Sequence, residues 1–101
     1  MNEKSWVQLL SEQNEEMAEL LKSDAEFISS NTALPAWVKC LMAMQLDSIF
    51  NHPKGSRGYG RRAVESGATK EQVVEAIKLL RMFAGRPAMA TAAEGLRDLE
   101  S

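Results

Sequence analysis

Between residues 54 and 62 the chain carries Lys54, Arg57, Arg61 and Arg62 and no acidic residue. Gly55, Ser56, Gly58 and Gly60 are interleaved with these cations. A helix beginning there would present free backbone N–H groups beside positive side chains, which is what a carboxylate or phosphate needs. Arg57 and Arg61 stand four apart and share one helix face, whereas Arg62 lies about 100° round the helix from Arg61. Tyr59 offers a phenol donor to a bound oxyanion. His52, the only histidine, stands just before the cluster and is of the type that moves protons near neutral pH. The candidate residues are therefore His52 and Tyr59 for catalysis and Lys54, Arg57 and Arg61 for holding a small anion. A plainer role fits the same residues: a solvated basic helix start, or ion pairs with an acidic N-terminal helix. A lone histidine without carboxylate partners builds no metal site, so neither metal nor cofactor is expected.

Cys40 is the only cysteine. No intrachain disulfide or Cys-x-x-Cys knuckle is possible, and a reducing cytoplasm is the expected setting. Cys40 lies among Val38, Leu41 and Ala43 in an apolar helical pattern, where a thiol packs as a small hydrophobe. Met42, Met44, Met82 and Met89 read as packing residues.

Helices must position these groups. Period-two alternation is scarce and Val/Ile/Thr runs are absent, so no sheet is expected. Ser5 caps a first helix predicted to run to Lys22, with Trp6, Leu9, Leu10, Met17, Leu20 and Leu21 as its apolar stripe. A short helical turn over 24–29, capped by Asp24, is expected next. The second helix starts near Pro35 and reaches Phe50, apolar on nearly all sides and so buried on most of them. The third starts at Ser56 or Arg57 and stops at Ser66, before Gly67. Thr69 and Gln72 form a capping box for a fourth helix from Lys70 to Ala84, which Gly85 ends. Arg86 and Pro87 open a last helix to Leu96 or Leu99.

The chain has 101 residues and a net charge of −2, so a single globular domain is expected. Charge is unevenly placed: residues 1–30 hold seven acids against Lys4 and Lys22, a net −5, leaving +3 for the rest. An overall acidic chain with one tyrosine gives no case for nucleic-acid binding. The segment after Met1 and Asn2 is polar and gives no export signal. The apolar stretch from Leu34 to Phe50 is broken by Lys39, Gln45, Asp47 and Ser48 and makes a poor membrane span.

Three segments carry a family likeness. The first is Ala63-Val64-Glu65-Ser66-Gly67-Ala68-Thr69-Lys70-Glu71-Gln72-Val73-Val74-Glu75-Ala76-Ile77. The second is Phe83-Ala84-Gly85-Arg86-Pro87-Ala88-Met89. The third, upstream, is Leu34-Pro35-Ala36-Trp37-Val38-Lys39-Cys40-Leu41-Met42-Ala43. In this order and at these separations they resemble the carboxymuconolactone decarboxylase / alkylhydroperoxidase D-like family, over roughly residues 30 to 95. The resemblance implies an all-α, orthogonal bundle of five to six helices. It also implies a homo-oligomer, trimeric or hexameric, and chemistry near the start of the third helix.

The departures from that family are specific. Its redox members carry a Cys-x-x-Cys pair, and the two cysteine positions fall here on His52 and Gly55. The accompanying His falls on Tyr59 and the Glu on Cys40, so the thiol peroxidase motif is absent. Against the family's decarboxylase pattern, Pro53, Arg57, Arg61 and Ala63 match, while Lys54 and Tyr59 stand where histidines would be. The expected activity is decarboxylase-like binding of a small carboxylate of the aromatic-degradation type. The alternative is a non-catalytic helical oligomer that keeps the scaffold.

Overall fold

The computed structural model describes residues 3–99, which fall into two compact units divided between Ser30 and Asn31. Met1 and Asn2, part of the segment read for an export signal, lie outside the described residues. The fold is all-helical: five α-helices and one 3-10 turn, with no strand among the described residues. No helix is long and apolar enough to cross a membrane.

The first unit holds α1 (Trp6–Gln13) and α2 (Glu15–Ile28). Ser5 and Gln8 form a reciprocal capping box at the start of α1. The single helix expected up to Lys22 is instead divided at Asn14, which adopts an extended backbone (φ −152°, ψ 117°). The Asn14 side-chain oxygen accepts the Met17 amide at 2.8 Å. One residue thus ends α1 and caps α2, because a short amide side chain competes with the helical ladder for backbone donors. Glu15 and Glu16 follow in the first turn of α2, where the helix dipole favours acids. Asp24, expected as a cap, lies inside α2.

The second unit holds α3 (Ala36–Ile49), α4 (Pro53–Glu65), α5 (Lys70–Ala92) and the 3-10 turn Ala93–Leu96. Asn31 accepts the free Ala36 amide at 2.8 Å, so α3 is capped from outside its own N-cap, Pro35. Asn51 takes a left-handed conformation (φ 60°) between α3 and α4, which Asn tolerates better than most residues. Its Oδ1 lies 3.0 Å from the Thr91 hydroxyl. Helix α4 starts three or four residues earlier than the sequence suggested, because Pro53 occupies its first turn. Gly67, at φ 120°, lets the chain leave α4, and Thr69 and Gln72 form the expected capping box on α5. Gly85, at φ 84° and ψ −178°, breaks α5 where the sequence predicted a stop.

The core of this unit is Met44 from α3 with Val73, Ile77, Leu80, Ala88 and Ala92 from α5. Full burial of each larger side chain contributes about 1.5–3 kcal/mol. Gln45 pins α3 to α5 by donating to the Ala76 carbonyl at 3.0 Å. Helix α4 turns small residues inward: Ser56, Gly60 and Ala63 are buried. Gly60 lies against the backbone of Gly95, so a β-carbon there would meet the Gly95 carbonyl oxygen and sit 2.5 Å from its Cα. Helix α3 was expected to be buried on most sides; in the chain it leaves Met42, Leu46, Ile49 and Phe50 about half exposed or more.

Gly60→Ala separates two competing effects. Alanine gains about 1 kcal/mol of helix propensity over glycine. The clash is with backbone, which cannot rotate away, and overpacking of this kind costs about 1–3 kcal/mol. The variant is therefore expected to melt several degrees below wild type, measured by circular dichroism, although propensity alone predicts a gain.

Candidate functional site

The structure divides the sequence-predicted residues into two groups. Arg57 and Arg61 converge on one carboxylate, that of Asp98. Arg57 donates to it twice, from Nε at 2.9 Å and Nη2 at 2.8 Å. Arg61 approaches the same carboxylate at 3.8 Å and Glu65 at 3.9 Å. The paired guanidinium fork is the strong geometry for carboxylate recognition, and its occupant here is part of the chain. Arg57, first through its hydrogen bond and then through its charge, holds the Asp98 carboxyl below the usual range, with Arg61 and Arg97 assisting. All of these side chains are partly exposed.

The second group surrounds the start of α4. The amides of Gly58 and Gly60 belong to the helical ladder, not to an open N-terminus, because α4 begins at Pro53. The His52 amide donates to the Asp47 carbonyl at 2.8 Å and the Ser56 amide to the His52 carbonyl at 3.0 Å. Only the amides of Lys54 and Gly55 remain in the first turn. The Asp47 carboxylate lies against Gly55, its Cγ 2.7 Å from where a β-carbon would stand. The other Asp47 oxygen is 3.5 Å from His52 Nδ1. His52 itself is exposed, as is Lys54. Tyr59 is half-buried against the core, with the Arg62 guanidinium 5.1 Å over its ring.

Beneath both groups, Ser48 and Ser56 bury a hydroxyl pair 2.8 Å apart. The Ser48 hydroxyl also bonds the Met44 carbonyl at 2.7 Å, and the Ser56 hydroxyl lies 3.1 Å from the His52 carbonyl. Both hydroxyls are therefore satisfied, as buried polar groups must be. Cys40 is 1% exposed, and burial pushes its thiol up, against smaller opposing effects from Arg62 and Ser66. A protonated, enclosed thiol is a poor nucleophile. Among the described residues no group of three or more His, Cys, Asp or Glu is placed to hold a metal ion.

Asp47 and Asp98 escaped the sequence reading. Asp98 lies 41 positions from Arg57 with no periodicity to join them. Asp47 had a faint signal: an acid in the last turn of a helix, with His52 and Pro53 in the turn that follows. Lys39 is also buried, a position no local pattern marks for a lysine. Against protein-family models, characterised proteins and solved structures, the chain finds no match.

The Arg57–Asp98 pair sets a pH dependence. Asp98 has a folded pKa below its unfolded value, near 3.9. Its contribution to stability is thus present above about pH 4 and lost as pH falls through the depressed value. Asp98→Asn should melt slightly below wild type at neutral pH, by no more than an exposed pair contributes, with the gap closing in acid. A gap that is constant from pH 7 to pH 2 would show that the carboxylate charge plays no part.

Proposed function

We propose that the chain is a divergent member of the carboxymuconolactone decarboxylase / alkylhydroperoxidase D-like family that serves as a non-catalytic helical subunit and assembles with copies of itself. One observation carries this reading: the guanidinium pair where a small anion would bind already holds a carboxylate of the chain. Asp98 lies on Arg57 and Arg61, and Asp47 lies on the first turn of α4. The buried Cys40 thiol supports it from the side of redox chemistry. Half-exposed Met42, Leu46, Ile49 and Phe50 on α3 support assembly, since a stripe of this size is usually covered by a partner. The family assignment rests on the three segments. Two of them meet the turning points Gly67 and Gly85, both at positive φ, where their glycines have a physical task.

A second reading is favoured by the Asp47–His52 contact. A carboxylate beside Nδ1 orients an imidazole for proton transfer. In that reading His52, helped by Tyr59, is the acid/base of a decarboxylase-like lyase, and Lys54, Arg57 and Arg61 hold the substrate carboxylate once Asp98 is displaced.

Calorimetric titration of benzoate, phthalate and muconate, together with sedimentation at micromolar concentration, separates the two. The subunit reading predicts an oligomer with no saturable carboxylate binding below millimolar concentration. Saturable binding that weakens roughly tenfold or more in Arg57→Ala and Arg61→Ala, but not in Arg62→Ala, overturns it in favour of the lyase.

A further inference from the structure

Helix α5 carries two apolar faces. Val73, Ile77 and Leu80 point into the core. Leu79, Met82 and Phe83 lie on the other side and are 49%, 66% and 84% exposed. From 76 to 93 the sequence has Lys78, Arg81 and Arg86, all exposed, and no acid. At 100° per residue Lys78 and Arg81 fall along one edge of the Leu79–Met82–Phe83 stripe. The result is an apolar strip with a basic edge at Lys78 and Arg81 and one exposed acid, Glu75, on its face a turn before Leu79.

Helix α2 has the complementary character. No residue of α1 or α2 is buried. Glu16, Leu20, Asp24 and Phe27 succeed one another along a single face, and Leu20 and Phe27 are 55% and 60% exposed. The helix holds five acids against Lys22. Apolar strips of helical period with opposite charge at their margins fit each other and resist pairing with themselves.

We propose that α2 of one copy docks on the Leu79–Met82–Phe83 strip of a second copy, with Glu16 and Asp24 facing Lys78 and Arg81. The contact deepens the self-assembly reading above and rests on it. It joins two different surfaces, so each copy offers both halves and a reciprocal pair or a closed ring satisfies every subunit. Like charges on α2 keep two such helices apart, which fixes the choice of surface.

The test is sedimentation velocity on the full chain, with helicity followed by circular dichroism. Lys78→Glu/Arg81→Glu and, separately, Glu16→Lys/Asp24→Lys should each weaken assembly at least tenfold without loss of helix, since all four positions are exposed. Combining the four substitutions in one chain should restore the wild-type mass. Charge-reversed chains that assemble as wild type overturn this docking mode and leave self-assembly standing. A four-fold variant that stays monomeric also overturns it. A wild-type chain that is monomeric at micromolar concentration overturns both the docking and the self-assembly reading.

Discussion

The second unit depends on how closely α4 passes the turn Ala93–Leu96. Gly60 and Gly95 meet backbone to backbone, and Met44 fills the space beneath Gly95, with its Sδ 2.6 Å from where a β-carbon would stand. Only residues without a β-carbon permit this approach. Asp98 stands three residues after Gly95, Arg57 three before Gly60 and Arg61 one after it. The glycine contact therefore sets the carboxylate on the guanidiniums. Ser56, one turn before Gly60, is pressed inward by the same approach and finds the hydroxyl of Ser48.

This geometry has a chemical consequence. The two arginines of residues 52–62 that share a helix face meet a carboxylate from the same chain, that of Asp98, and Asp47 stands beside Gly55 and His52 at the helix start. Exposed ion pairs contribute little to stability, so these do not hold the fold together. They act on binding. A ligand carboxylate would compete with one tethered to the same chain, whose effective concentration is on the order of millimolar. A weakly held metabolite at micromolar concentration loses that competition.

Much of the helical framework was legible in the residues. Thr69 with Gln72, Gly67 and Gly85 are local signals, each acting within a turn of its own position, and all appear where expected. Two boundaries were not. Asn14 looked like one polar residue in an amphipathic run, and only its side-chain bond to Met17 reveals the break. Pro53 starts α4 ahead of the expected Ser56 or Arg57, because Pro53, Lys54 and Gly55 read as part of a turn. The clustering of Arg57 and Arg61 was legible from their four-residue spacing, but their partner was not. Ion pairs across 41 positions depend on how the bundle closes, and local sequence says nothing of that.

The close approach of α4 and the C-terminal turn is best tested by native-state hydrogen exchange read residue by residue. In the wild type the amides of Ala93, Arg97 and Leu99 donate to Met89, Glu94 and Leu96 respectively. Held against α4, they are predicted to exchange slowly, and a β-carbon at position 60 should release them while the amides around Val73 and Ile77 stay protected. Exchange of these three amides at the rate of an open chain in the wild type would contradict the account, as would protection that a β-carbon at position 60 leaves unchanged.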